Sequence, residues 1–223
     1  MTELVIRELG LQRYEPVWRA MQQFTDKRTA ETPDEIWFTQ HEPVFTLGIN
    51  TAPEHLLAPG DIPIIQIDRG GQVTYHGPGQ LMIYPLIDLR RAGLGVRDLV
   101  TGLEQCVVDL VAEFGIEAAS RRDAPGVYVR DVKLASIGLR VRRGSSFHGM
   151  ALNVAVDLEP FSRINPCGFQ GLELTDLARL GADSDLARVR DRLLPHLLRH
   201  LRMDQSLSSL SLSGVPMSLQ SPS

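Results

Sequence analysis

Cysteine is almost absent from this chain of 223 residues: there are two, Cys106 and Cys167. A disulfide framework needs more, so both thiols are expected to be free and the fold must rest on its core. Neither sign of charge dominates. The 23 basic and 27 acidic residues leave a net charge of −4, so overall charge gives no argument for nucleic acid or an anionic membrane as partner. No window approaches the roughly 20 apolar residues that span a bilayer. The opening MTELVIRELG carries acids where a signal peptide has a basic start and an apolar run. A cytoplasmic protein is expected. Metal-ligand spacing is missing too: His41, His55, His76 and His148 are scattered. There is no GxSxG nucleophile elbow, no phosphate-cradling GxxxxGK[ST] and no dinucleotide GxGxxG. Neither a metal nor a cofactor is expected.

What remains is an ordinary globular composition, 43% hydrophobic and 22% charged. The length suits one catalytic domain, placed at residues 1–204. Residues 205–223, beginning at Gln205, are serine-rich and nearly uncharged, and are read as a disordered tail whose leucines allow weak docking. Tyr14, Val17, Trp18, Met21 and Phe24 share one face of a helix over 11–28. A second amphipathic helix covers 96–114 and closes at Gly115, where a left-handed cap is expected. A third helical period runs over 184–202, with Pro195 as a kink or break. EIWFTQ, VFTLG, IPIIQID and LMIYPLIDL read as strands. Residues 127–143 read as a hairpin, and 147–158 as the strand that pairs next. Helices beside a mixed, largely antiparallel sheet make the fold α/β, or α+β in the stricter sense.

The two thiols differ in setting. Cys106 sits at apolar helical spacing with Leu99, Leu103 and Leu110, as a core residue would. Cys167 lies in INPCGFQG, between proline and glycine, where a loop can expose it. A thiolate is the nucleophile, and a nearby cation lowers a thiol's pKa. Lys133 can be that cation. Strand alternation puts it on a face with Ala135, Ile137, Leu139 and Val141, where an ammonium is costly. A strand-end lysine reaching water and a cysteine that merely makes a turn remain open readings of the same residues. The glycine-rich stretch 69–80, RGGQVTYHGPGQ, lets backbone approach a ligand closely. His148 precedes Gly149 and Ala151, which with Ala155 share a strand face and leave room for an unbranched chain. Residues 121–143 hold seven basic side chains against two acids, a candidate docking surface for an acidic partner.

RGGQVTYHGPGQLMIYPLIDL, VKLASIGLRVRRGSSFHGMALNV and NPCGFQG, in that order and spacing, together resemble the lipoyl(octanoyl) transferase family. The resemblance covers the chain from about Trp37 to Leu177. It implies the catalytic core shared with biotin and lipoate protein ligases. It implies transfer of an octanoyl group from octanoyl-acyl carrier protein to a lysine of lipoyl domains, those of 2-oxoacid dehydrogenase complexes and of the glycine cleavage H protein. Cys167 takes the position of the family's nucleophile and Lys133 that of the lysine that lowers its pKa. The acyl-binding segments map onto Arg69, Gly70, Gly71, Gln72, Val73, Thr74, Tyr75 and His76, onto Ser136, Ile137 and Gly138, and onto Gly149, Met150 and Ala151. The oxyanion is expected on amides of the glycine-rich stretch or on the one following Cys167. An ATP-dependent lipoate or biotin ligase, and a catalytically silent binder of lipoyl domains, are the alternatives.

Overall fold

In a computed structural model, residues 4–168, 171–203 and 210–213 are described, with Cys167 and 210–213 at the level of the backbone. An eight-stranded sheet runs through the molecule. Its strands are β1 (Leu4–Gln12), β2 (Asp34–His41), β6 (Gln80–Leu86), β7 (Ala119–Ser120), β8 (Gly126–Val129), β9 (Val132–Arg142), β10 (Ser145–Asn153) and β11 (Leu210–Ser213). They are ordered β11-β1-β2-β6-β10-β9-β8-β7. The pairs β11–β1 and β1–β2 are parallel and the rest antiparallel, so the sheet is mixed and largely antiparallel, as expected. A smaller sheet joins β3 (Val44–Leu47), β4 (Ile64–Gln66) and β5 (Val73–His76) in the order β4-β3-β5. The helices are α1 (Tyr14–Lys27), α2 (Leu89–Ala92), α3 (Val96–Ala112) and α4 (Leu186–His200). None is long and apolar enough to cross a membrane.

The sheet separates two layers. On one side α3 and α4 pack Leu99, Leu103, Cys106, Val107, Val189, Leu193 and Leu197 against Ile36, Ile83, Met150 and Leu152. On the other, α1 lays Tyr14, Val17, Trp18 and Met21 over Trp37, Met82, Tyr84 and Phe147. The buried positions of α1 follow the i, i+3, i+4, i+7 spacing of an amphipathic helix. The small sheet contributes a third apolar group, with Phe45, Val73 and Tyr75 against Val156, Phe161 and Ile164.

Three features differ from the sequence expectations. β1 is not among the expected strands. Leu4, Val5 and Ile6 are buried in a row, because both faces of the strand are covered, with Leu4 and Ile6 in one layer and Leu9 in the other. A bulge between Glu8 and Leu11, where Gly10 has φ +68, interrupts the strand. Of the kink or break expected at Pro195, the break does not occur: α4 continues through it. The missing amide costs one backbone hydrogen bond, while Val189, Leu193, Leu197 and Leu198, buried on both sides of the proline, keep the helix on the core. Leu210–Ser213, inside the stretch read as a disordered tail, runs parallel to β1 at the sheet edge. The remainder of 205–223 lies outside the described residues.

Candidate active site

A narrow cavity opens on the α1 side of the sheet, where β9 and β10 run under the glycine-rich stretch. The Gly70 amide donates to the Leu139 carbonyl at 3.1 Å, which draws that stretch down onto β9. The approach is close enough to require glycine below it. A Cβ on Gly138 would lie 2.9 Å from Cδ of Arg69 and 3.3 Å from the Gly70 carbonyl oxygen. Arg69 is buried and donates from Nη2 to the carbonyl and hydroxyl oxygens of Thr46 at 2.8 and 2.9 Å, and from Nη1 to the Gly70 carbonyl at 2.9 Å.

The cavity is lined by Arg69, Gly70, Gly71, Gln72, Val73, Thr74, His76, Ser136, Ile137, Gly138, Gly149 and Ala151, together with Tyr14, Met82, Tyr84 and His148. The first twelve were anticipated from the sequence. Tyr75 and Met150 were too, but they point elsewhere. Tyr75 packs between Phe45 and Phe161, ring centroids at 5.6 and 5.4 Å, in the small-sheet core. Met150 belongs to the layer under α3 and α4. Alternation is the cause: each sits between two residues that face the cavity. Gly149 leaves no empty slot, because a Cβ there would fall 1.9 Å from the Ile83 carbonyl oxygen. Tyr14, Met82 and Tyr84 went unassigned to the site. Their stretches are apolar on the faces that pack, and no local pattern says which face meets a ligand.

Two buried histidines, His76 and His148, line this cavity and a third, His41, lies behind its Tyr84 wall, and their partners assign each tautomer. Asn153 donates through Nδ2 to the Thr175 carbonyl at 3.0 Å, so its Oδ1 accepts from Gln80 Nε2 at 2.9 Å. Gln80 Oε1 then accepts from His76 Nδ1 at 2.7 Å, which leaves His76 Nε2 to accept from the Thr46 hydroxyl at 3.2 Å. His41 donates from Nδ1 to the Gln12 carbonyl at 3.1 Å and accepts at Nε2 from the Tyr84 hydroxyl at 2.7 Å. Burial lowers the pKa of His41 to about 4 and that of His76 well below its ordinary value. His148 donates from Nε2 to Asp68 at 2.9 Å. Burial also lowers the pKa of His148, against the pull of Asp68. Burial alone would raise the Asp68 pKa, but hydrogen bonds from His148, Trp18 and Gln22 hold its carboxyl well below the usual carboxylate range. The pair is therefore a neutral imidazole hydrogen-bonded to a carboxylate, and the cavity wall carries no histidine charge near neutral pH.

Lys133 is 1% exposed. The expected face is overturned by a β-bulge. Val127 pairs with Ala135 and Tyr128 with Lys133, so Leu134 is an extra residue in β9. Val127 and Ala135 both pack in the core under α3 and α4. Cross-strand partners share a face, so Lys133 follows Tyr128 to the other side, with Nζ 5.4 Å from the centroid of that ring. Ser136 and Gly138, which line the cavity, are on that side too.

Cys167 lies in a 3-10 helical turn over Pro166–Gly168. The turn is seated beside the glycine-rich stretch: a Cβ on Gly168 would come within 3.3 Å of Gln72 Cγ. Its entry is held by the Asn165 amide donating to the His55 carbonyl at 2.8 Å. The chain then returns along Lys133. The Lys133 amide donates to the Glu173 carbonyl at 2.9 Å, and the Thr175 amide to the Lys133 carbonyl at 3.0 Å. Backbone pairing thus brings residues 173–175, which follow Cys167 in the chain, to the strand carrying Lys133. The Gly168 amide, one candidate oxyanion donor, is engaged with the Asn165 carbonyl at 3.1 Å. Of the basic residues in 121–143, Arg121 pairs with Asp123 and Asp131 and Arg142 with Asp26, while Arg140 is exposed.

Comparison with known proteins gives one picture. The lipoyl protein ligase A/B catalytic domain family matches residues 13–198. An octanoyltransferase of Hahella chejuensis is 59% identical over 211 residues, covering 95% of this chain and 94% of the relative. One of Pseudomonas fluorescens is 58% identical over 198 residues, covering 89% and 92%. Among solved structures, the chain is similar to a lipoate protein ligase of T. acidophilum with bound lipoic acid, at TM-score 0.75 and 14% identity over 98% of this chain and 92% of that one. It is also similar to the biotin protein ligase of Aquifex aeolicus, at TM-score 0.54 and 12% identity over 91% and 70%.

Proposed function

We infer that the chain, which belongs to the lipoyl protein ligase A/B catalytic domain family, transfers an octanoyl group in protein lipoylation. The observation that carries this reading is the 59% identity to an octanoyltransferase over nearly the whole of both chains. The ligase alternative shares the fold, but the solved ligases are only 14% identical or less.

The chemistry follows from the residues. The Cys167 thiolate attacks the thioester carbonyl of octanoyl-acyl carrier protein. The carbon–sulfur bond to the carrier breaks, and the carrier thiolate leaves with the proton that Lys133 took from Cys167. The amine of a lipoyl-domain lysine then attacks the enzyme thioester, forms the amide and returns a proton to the Cys167 sulfur through Lys133. Two observations support giving Lys133 this part: its burial, and the backbone pairing of β9 with the segment that follows Cys167. The oxyanion falls to amides of the glycine-rich stretch other than those of Gly70 and Gly79, which, like the Gly168 amide, are already engaged. The acyl chain occupies the cavity between that stretch, β9 and β10, whose uncharged histidines suit an apolar guest. No ATP is consumed, because the donor thioester is already activated. The acceptors are lipoyl domains of 2-oxoacid dehydrogenase complexes and the glycine cleavage H protein, met in the cytoplasm. Incubation with octanoyl-carrier protein in the absence of ATP should add one octanoyl mass to Cys167, and a lipoyl domain should remove it. Dependence on ATP would make the protein a ligase; no modification in either condition would leave a binding module.

A further inference from the structure

Glu104 is the one charged residue on the buried face of α3, and the transfer chemistry above does not use it. It is 7% exposed. Its Oε1 accepts the Gly126 amide at 3.0 Å. Gly126 has φ +143, and a Cβ there would lie 2.3 Å from the Ala135 carbonyl oxygen and 2.8 Å from Cε of Lys133. The lysine stem thus occupies the space that a side chain at 126 would need. A buried carboxylate and a buried ammonium meet at the same glycine. Burial raises the Glu104 pKa, and the Gly126 amide, the Ser120 hydroxyl and the charge of Lys133 act to lower it.

We propose that Glu104 is a positioning residue for Lys133, tethering the Gly126 amide so that the lysine stem keeps its slot and holding a carboxylate near the ammonium. The proposal rests on the part given to Lys133 in the transfer reaction. Among the described residues, the other groups around the pair include the Tyr128 ring from β8, Arg121, which stacks on that ring at 5.2 Å, the Ser120 hydroxyl from β7, and the Glu173 carbonyl and Thr175 amide beyond β9. Asp176 follows Thr175 and is paired with Arg179. Arg97 and Arg122 line a surface groove that reaches Glu104. Of these, Glu104 is the one negative charge that is both buried and tethered to the glycine beside the lysine stem. It therefore favours the protonated lysine, the form that stabilises a neighbouring thiolate.

The sequence makes the test direct, because Lys27 and Lys133 are its only lysines. Protein labelled with carbon-13 at lysine Cε gives two resonances, assigned through Lys27→Arg. Glu104→Gln keeps an acceptor for the Gly126 amide and removes the charge. The Lys133 titration midpoint should fall by about one pH unit, a tenfold change in its proton affinity, while that of Lys27 stays in place. Glu104→Asp keeps the charge but draws it back by one methylene, and should lower the midpoint by less than half as much. An unchanged Lys133 midpoint in whichever variant folds, or equal falls in both, overturns the proposal. Octanoylation of Cys167 in the wild-type protein, measured alongside, tests the transferase reading separately. A protein that takes no octanoyl group but whose Lys133 midpoint moves has lost that reading and kept this one.

Discussion

The two faces of the large sheet are built on opposite principles. Under α3 and α4, Leu99, Leu103, Cys106, Val107, Leu110, Val189, Leu193 and Leu197 are all fully buried against apolar strand residues. That layer is stabilised by area removed from water, without directional demands. On the α1 side, buried Tyr14, His41, Arg69, His76, Tyr84 and His148 are held by specific hydrogen bonds. Each such group is costly unless its partner is present. One strand serves both: β10 gives Met150 to the first layer and Gly149 and Ala151 to the second. The difference separates where the molecule derives stability from where it can do chemistry, and substitutions on the two sides should fail in different ways.

The two cysteines are the sharpest probe of that division. Cys167→Ala should abolish acyl-enzyme formation, a fall on the order of 10³-fold or more in transfer rate. Cys106 is fully buried in the helix-side layer, its thiol donating to the Leu103 carbonyl at 3.1 Å, and burial raises its pKa. Cys106→Ser should keep transfer activity and cost about 1–2 kcal/mol of stability. Full activity in the Cys167→Ala protein would remove the covalent mechanism. On the helix side, Leu193→Ala should cost about 2–5 kcal/mol in urea denaturation, with transfer per folded molecule unchanged. A selective loss of transfer at full stability would break the separation of faces. Lys133→Ala should move the iodoacetamide rate profile of Cys167 to higher pH by about one unit, because a neighbouring cation favours thiolate. An unmoved profile would uncouple the two residues.

The smallest predicted effect concerns pH. The His41 pKa is about 4 in the folded protein, below the unfolded value of about 6.5. Its contribution to stability is therefore fully present above about pH 6.5 and is lost as pH falls toward about 4. His41→Gln can donate to the Gln12 carbonyl and accept from Tyr84 but cannot take up a proton. Between pH 7 and 5.5 the variant should lose about 1 kcal/mol less than the wild type. Equal losses, measured by urea titration at both pH values, would mean that His41 is not held neutral.

Much of the fold was legible because each layer writes a period. Val17, Trp18 and Met21 mark the buried face of α1, and Leu99, Leu103 and Leu110 that of α3. β1 was not, since both its faces are covered: Leu4, Val5 and Ile6 are buried in a row, so no polar alternation marks the strand, and a bulge at Gly10 interrupts it. At the candidate site, the glycine-rich stretch and the Ser136–Gly138 and Gly149–Ala151 segments were readable as motifs. Tyr75 and Met150 could not be sorted from their neighbours without knowing which face of each strand meets the cavity. Tyr14, Met82 and Tyr84 carried no signal beyond being buried.

By itself the sequence determined the mixed sheet with its helices, the family resemblance, and the contrast between a thiol at core spacing and a thiol in a Pro–Gly turn. These depend on local composition and periodicity, which folding preserves. The tertiary structure decided the side of the sheet on which Lys133 lies. Strict alternation puts it with Ala135 in the core, but Leu134 is an extra residue opposite β8, and one inserted residue reverses every face assignment before it. Only the pairing of β9 with Val127 and Tyr128 reveals that insertion. Only the return of the 173–175 segment along β9 brings the chain from Cys167 beside Lys133, because backbone hydrogen bonds between segments 40 residues apart leave no mark on either segment alone.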